Sequence, residues 1–132
     1  AMCNGLAQYC LNLGLEYAKT RTAFDRPIGK NQYVQGHLVD SLVELKASRL
    51  LTNDCAWRYD RGEGVIQESS IAKLYASEMV NRVAYRMIQV YGGMGWMREV
   101  PLERIYRFVR IFTLVEGTSE IQKYIIAKTL GL

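Results

Sequence analysis

Apolar residues recur every three or four positions through three long stretches of the chain, which is the spacing of one face of an α-helix. The first predicted helix covers residues 2–20, and its apolar face comprises Met2, Leu6, Tyr9, Leu13 and Tyr17. The third covers residues 67–91, with a face of Ala72, Ala76, Met79, Val83, Met87 and Val90.

The second predicted helix, residues 31–59, carries two apolar stripes rather than one. The stripes are Val34, Leu38, Leu42 and Leu45, and Val39, Val43, Ala47 and Leu50. Two stripes indicate burial against two neighbours, as in a helical bundle.

Glycine and proline mark the ends of these helices. Pro27 and Gly29 predict a turn after the first helix, Gly62 is a C-terminal cap of the second, and Gly92 and Gly93 stop the third. Pro101 predicts a short helix over residues 101–107.

The remaining segments are less regular. Residues 110–115 are apolar and β-branched enough for a strand, but we expect an extended or irregular linker because no second strand is available. The last helix is predicted at 118–130. The pattern predicts an all-α fold, an up-and-down four-helix bundle, in which residues 1–132 form a single domain.

Composition narrows the choice of partners. The chain has 132 residues, 49% of them hydrophobic, which suits one packed domain. The net charge of +4 permits anionic ligands, but no clustered basic stripe indicates nucleic acid. No apolar run is long enough to span a membrane, and no signal peptide is visible.

The cysteines and the start of the first helix lead to two further expectations. Its three cysteines have no metal-ligand spacing and form no disulfide framework, so we expect a reducing compartment. The first helical pattern starts without a cap, so we expect a fragment cut at or within that helix.

The stretch from Leu114 to Gln122 carries the candidate chemistry, with two interpretations. Ser119 followed by Gln122 fits a helix capping box, and the negative charge of nearby acidic residues interacts favourably with the helix dipole. Alternatively, Glu116 is a carboxylate base beside unpaired backbone N–H groups, with Gly117 allowing a ligand close to the backbone.

Four segments in order resemble the C-terminal helical domain of the acyl-CoA dehydrogenase family. They are RTAFDRPIGKNQ, SIAKLYASE, QVYGGMGWMREVPLERIYR and EGTSEIQ followed by an apolar helix. The resemblance runs over essentially the whole chain. It implies that the family's N-terminal helical domain and middle β-domain lie outside residues 1–132.

The resemblance also implies roles for individual residues. Glu116 matches the catalytic base, and Gly117 lines the substrate. Val115 stands where Tyr is frequent, which is expected to widen the acyl pocket. The residues that match the family's FAD contacts are Arg21, Gln32, Gln89, Val90, Tyr91, Gly92, Gly93, Thr118, Ser119 and Glu120. In the family, the matching Arg and Gln reach FAD across a subunit interface.

The implied activity is α,β-dehydrogenation of an acyl-CoA thioester with FAD as cofactor and electron-transferring flavoprotein as acceptor. The fragment alone is expected to be inactive. A homo-oligomer, dimer or tetramer, is expected, in the cytoplasm of a bacterium or the mitochondrial matrix of a eukaryote. The alternatives are an acyl-CoA oxidase-like enzyme and a non-catalytic bundle that serves subunit assembly.

Overall fold

The computed structural model describes all residues from 1 to 132 and confirms the all-α prediction. The helices are α1 (Met2–Thr20), α2 (Gln32–Asp60), α3 (Ile66–Tyr91), α4 (Pro101–Val109) and α5 (Ser119–Thr129), and a hairpin of β1 (Thr22–Ala23) and β2 (Arg26–Pro27) follows α1. Short 3₁₀ turns cover Ile28–Lys30, Gly92–Trp96 and Arg110–Thr113.

Helix α3 lies at the centre and packs against the other four helices. Asn4 at the start of α1 contacts Ser48 and Thr52 late in α2, so α1 and α2 are antiparallel. The C-terminal part of α1 meets the C-terminal part of α3, where Tyr91 bonds to Leu13, so those two helices run in the same direction. None of the five helices combines the length and mean hydropathy that a membrane crossing requires.

The buried face of α1 differs from the predicted one. Met2 and Tyr9 are 65% and 48% exposed, whereas the buried face consists of Asn4, Ala7, Cys10, Leu11, Gly14 and Ala18. Small residues bring the α1 backbone close to α3: a Cβ at Gly14 would lie 2.2 Å from the Met87 sulfur. The periodicity of large apolar residues was therefore only partly right: Leu6, Leu13 and Tyr17 are partly buried against the core, whereas Met2 and Tyr9 are exposed.

The second apolar stripe of α2 is exposed within this chain. Val39, Val43 and Leu50 lie on the surface, as does Leu42 of the first stripe, while Leu38 and Leu45 are buried. The predicted face of α3 is confirmed from Ala76 to Val90, with Ala72 only half-buried. The bundle thus leaves an apolar surface on α2 without a partner in this chain.

Two connections differ from the sequence prediction. A short antiparallel hairpin forms where only a turn was predicted, because Phe24 and Asp25 both adopt left-handed backbone angles, φ 54° and 61°. The linker after α4 is neither strand nor extended. Arg110–Thr113 forms a 3₁₀ turn, and the N–H groups of Leu114 and Val115 both donate to the Ile111 carbonyl.

Candidate active site

Glu116 lies in a tight turn between the 3₁₀ segment and α5. Its φ is 56° and that of Gly117 is 88°, so two successive residues are left-handed. Glycine adopts this conformation freely, but a glutamate does so at a cost of about 1–3 kcal/mol. The surrounding structure must therefore hold Glu116 in place.

Two side chains from different helices hold the carbonyls of this turn. Lys73 of α3 donates from Nζ to the Gly117 carbonyl at 2.5 Å. Gln122 of α5, only 6% exposed, donates from Nε2 to the carbonyls of Glu116 and Gly117 at 3.1 and 3.4 Å. The turn is thus attached to both α3 and α5.

The capping box predicted from Ser119 and Gln122 is wrong. Thr118 is the N-cap of α5, and its Oγ1 accepts a hydrogen bond from the Ile121 N–H at 3.3 Å. The buried Ser119 hydroxyl donates instead to Glu78 Oε1 at 2.5 Å. The N-cap is therefore Thr118, one residue before the predicted Ser119. Gln122 does not close a capping box and bonds instead to the Glu116–Gly117 turn.

Glu120 is exposed in the first turn of α5. Its pKa lies below the usual value because its own backbone N–H, and then the Thr118 hydroxyl, form hydrogen bonds with its carboxylate. The negative charge is also favoured by the helix N-terminus. Glu120 is therefore an ionised surface group.

Glu116 borders a pocket of about 510 Å³, at the end of the bundle where α1 begins. The walls are mostly apolar, with Phe112 and Val115 next to Glu116. Lys73 also lines the pocket, and so does Cys3, whose pKa is raised mainly by burial. The other lining residues are Ala1, Met2, Thr52, Cys55, Ala56, Tyr59, Asp60, Val65, Ser69, Ala72, Ala76 and Ser77.

Most of the other candidate residues lie at the opposite end of the bundle. Arg21 caps the C-terminus of α1 and Gln32 begins α2, and both are exposed. Gln89 is exposed near the end of α3. The structure therefore brings together Arg21, Gln32 and the segment from Gln89 to Gly93.

Within that segment, backbone and side chains differ in accessibility. The Val90 side chain is buried, and the Tyr91 ring stacks on Tyr17 while its hydroxyl donates to the Leu13 carbonyl at 3.2 Å. A Cβ at Gly92 or Gly93 would meet nothing within 4 Å. A ligand at this end would contact backbone and the Gln89 amide rather than the side chains of Val90 and Tyr91.

The two clusters are far apart. Lys73 lies beside the Glu116 turn and Gly92 ends α3. At about 1.5 Å per residue, they are separated by on the order of 28 Å along the helix. Thr118, Ser119 and Glu120 belong to the Glu116 end, beside the first half of α3.

Sequence reasoning missed Lys73 and Gln122 as residues that hold the turn. Lys73 was visible as a cation inside an apolar helical stretch. Its partner could not be identified from the sequence because Gly117 lies 44 residues further along the chain.

Comparison with known proteins identifies the family. Residues 1–131 match the family model described as acyl-CoA dehydrogenase, C-terminal domain, so the chain belongs to that family. It is 43% identical over 123 residues to human mitochondrial short-chain specific acyl-CoA dehydrogenase, covering 93% of this chain and 30% of that protein.

Two further relatives extend the comparison. The chain is 36% identical over 126 residues to the caffeyl-CoA reductase-Etf complex subunit CarC of Acetobacterium woodii, covering 96% of this chain and 33% of that one. An FAD complex of PigA superposes with a TM-score of 0.96 at 32% identity, covering 98% of this chain and 34% of that one. The chain thus spans about a third of the length of these relatives.

Proposed function

We propose that this chain is the C-terminal domain of an FAD-dependent enzyme that dehydrogenates acyl-CoA thioesters between the α and β carbons, with Glu116 as the base. The observation that carries the proposal is the carboxylate of Glu116 beside a largely apolar pocket, in a turn held against its conformational preference. Membership of the family and this geometry support the same reaction.

The α-proton of a thioester is weakly acidic, so a carboxylate near its ordinary pKa of about 4 is a poor base for it. A bound acyl chain would displace water from the walls formed by Phe112 and Val115. Loss of water destabilises a charged carboxylate, which makes it a better proton acceptor. The Glu116 backbone N–H would stabilise the charge on the thioester oxygen, with Gly117 beside the substrate.

FAD, when bound, supplies the acceptor for the hydride that leaves the β-carbon. The exposed residues at the far end of the bundle have suitable chemistry for it. Arg21 presents a guanidinium suited to pyrophosphate, Gln32 and Gln89 present amides, and Gly92 and Gly93 leave the backbone open. Thr118 and Glu120 offer a hydroxyl and a carboxylate, whereas the Ser119 hydroxyl is already bonded to Glu78.

The separation of these groups supports a homo-oligomer. The five-carbon ribityl chain between a flavin ring and its pyrophosphate extends only on the order of 7 Å, at bond lengths near 1.5 Å. Arg21 lies much further than this from the Glu116 of its own chain. We infer that each FAD is held between copies, with Glu116 from one and Arg21 from another, and that the exposed apolar stripe of α2 contributes to contacts between copies.

Electron-transferring flavoprotein is the proposed electron acceptor, and CarC is by its name a subunit of a reductase complex with Etf. Relatives of this chain occur in bacteria and in mitochondria. We therefore propose that the protein is located in the cytoplasm of a bacterium or in the mitochondrial matrix of a eukaryote.

A second candidate is the reverse reaction, reduction of an α,β-unsaturated acyl-CoA. One observation favours it: CarC is named as a reductase subunit. Glu116 would then deliver the α-proton. The full-length enzyme is equilibrated with saturated and with unsaturated acyl-CoA. The flavin absorbance then shows whether dehydrogenation or reduction is the preferred direction of the reaction.

The test of the proposed base is Glu116→Gln in the full-length enzyme. Glutamine keeps the shape of the side chain but accepts no proton, so flavin reduction in anaerobic stopped-flow should slow by at least about a hundredfold. FAD content and acyl-CoA affinity should stay near those of the unmodified enzyme. Glu99→Gln, at an exposed glutamate outside the pocket, is the matched control. Near-normal reduction in Glu116→Gln would place the base outside this chain.

A further inference from the structure

The Gly117 carbonyl receives hydrogen bonds from two helices, α3, which is distant from it in sequence, and α5, which begins two residues after it. Lys73 approaches from α3 and Gln122 from α5, whereas the chain before Glu116 belongs to the 3₁₀ segment. A carbonyl has two lone pairs, so both donors can be accommodated. Three separate elements therefore meet at one peptide group, directly after the proposed base.

This peptide group determines where the carboxylate of Glu116 lies. The left-handed φ of Glu116 is unfavourable for a residue with a Cβ, and an unrestrained turn would relax to negative φ. Such a change would redirect the Cα–Cβ bond and move the carboxylate away from the pocket. Hydrogen bonds that hold the Gly117 carbonyl oppose that relaxation. The backbone dihedral angles of the Glu116–Gly117 turn cannot change without moving this carbonyl.

Lys73 provides the stronger restraint. It lies half-buried on a helix face that lines a mostly apolar pocket, where an aliphatic side chain would avoid the cost of desolvating an ammonium group. Its ammonium is 2.5 Å from the carbonyl oxygen, compared with 3.4 Å for the Gln122 amide. A charge-assisted hydrogen bond is about twice as strong as a neutral one.

We propose that Lys73 is a positioning residue for the base: by holding the Gly117 carbonyl it keeps the carboxylate of Glu116 directed at the acyl-CoA pocket. The inference rests on the proposed role of Glu116. Gln122 supports the same turn from the opposite side. Lys73 acts through Glu116, so its loss is expected to slow proton removal while FAD stays bound.

The test uses Lys73→Met in the full-length holoenzyme. Methionine keeps the length of the side chain and removes the donor. We expect flavin reduction at saturating acyl-CoA to slow by about tenfold or more, the lower end for a charge-assisted hydrogen bond, while FAD content stays within about twofold. Lys73→Arg, which retains a charged donor, should recover most of the rate. Lys46→Met, at an exposed lysine of α2, is the matched control.

A double variant separates positioning from a merely structural role. If Lys73 acts through Glu116, then Lys73→Met combined with Glu116→Gln should reduce flavin no more slowly than Glu116→Gln alone. Additive losses, or a slow Lys73→Met enzyme that has lost FAD, would show a general structural defect and overturn the inference. A Lys73→Met rate within about twofold of the unmodified enzyme would also overturn it.

The outcomes also separate this inference from the proposed function. If Glu116→Gln slows flavin reduction strongly and Lys73→Met does not, Glu116 remains the proposed base and only the role of Lys73 is rejected. Normal rates in both variants remove the base itself. If Lys73→Met does not fold, Lys73→Gln, which is neutral and too short to reach the carbonyl, is measured in the same way, with the same expected and contradicting results.

Discussion

The rings of Tyr17 and Tyr91 stack with their centroids 3.9 Å apart and their planes 13° from parallel. The stack joins the end of α1 to the end of α3, and burial raises the pKa of Tyr91. As a result, Arg21 and Gly92, which follow these tyrosines, are fixed at the same end of the bundle. The stack explains how two segments about 70 residues apart can contribute to the proposed FAD site.

Arg21→Ala in the full-length enzyme should weaken FAD retention much more than it weakens folding. A charge-assisted contact to pyrophosphate contributes about 1.5–3 kcal/mol, whereas an exposed residue at a helix end contributes little to stability. Equilibrium dialysis of FAD and thermal melting of the apo-protein measure the two effects. Lys19→Ala, two residues earlier and also exposed, is the control. If the Arg21→Ala apo-protein forms no more readily than the unmodified one, Arg21 is only a helix-end residue.

The 132-residue chain should fold alone but not hold FAD tightly. The buried cluster centred on α3 supplies a core, while the candidate FAD residues cover only part of the cofactor and those near Glu116 are far from Arg21. Circular dichroism should show a mainly helical spectrum and cooperative melting. Purification of this chain with stoichiometric, spectrally visible flavin would contradict the prediction.

Gly117→Ala should damage both stability and chemistry. At φ 88° alanine is strained, and its Cβ would lie 2.7 Å from Gln122 Nε2. We expect a loss of more than about 1 kcal/mol in urea denaturation, together with slower flavin reduction. Gly36→Ala in α2 is the control, because a Cβ there meets nothing within 4 Å. That variant should be stabilised by roughly 0.5–1 kcal/mol. Equal stability of Gly117→Ala and the unmodified enzyme would show that the turn tolerates a Cβ.

The ion pairs of Glu44 predict a specific response to acid. Burial alone would raise the pKa of Glu44, but hydrogen bonds from Arg86 and Arg82, each 2.8 Å long, outweigh it and lower the pKa below the usual 4.5. A carboxylate with a lowered pKa stabilises the fold above pH 4.5, and this contribution is lost as the pH falls through the lowered value.

Urea denaturation of the unmodified chain and of Glu44→Gln tests this response. The stability difference should be constant from about pH 6 to 7 and shrink below about pH 4. Glu99→Gln, at an exposed glutamate for which the structure gives no salt bridge, is the control and should show a smaller change. A difference that does not depend on pH would show that Glu44 acts only through packing.

Helix positions and the all-α class follow from the sequence because they depend on local features. The recurrence of apolar residues, together with Gly62, Gly92 and Pro101, places all five helices within about two residues of their ends. Glu116 and Gly117 could be identified as candidates for the same reason. A carboxylate followed by a glycine, between an apolar run and the start of a helix, is a local pattern of nine residues.

Which residues of α1 and α2 are fully buried was decided by the tertiary structure. On α1, Gly14 and Ala18 lie inside while Met2 and Tyr9 lie outside, because close backbone approach to α3 requires small residues and not the most apolar ones. The exposed stripe of α2 shows the same limit, since no other element of this chain covers it.

The arrangement around Glu116 also required the fold. A capping box describes only residues three apart, but the turn is held by Lys73, 44 residues before Gly117, and by Gln122 from a helix whose N-cap is Thr118 rather than Ser119. Local patterns fix dihedral preferences over a few residues, whereas the position of a strained carboxylate depends on donors that only packing brings within hydrogen-bond distance.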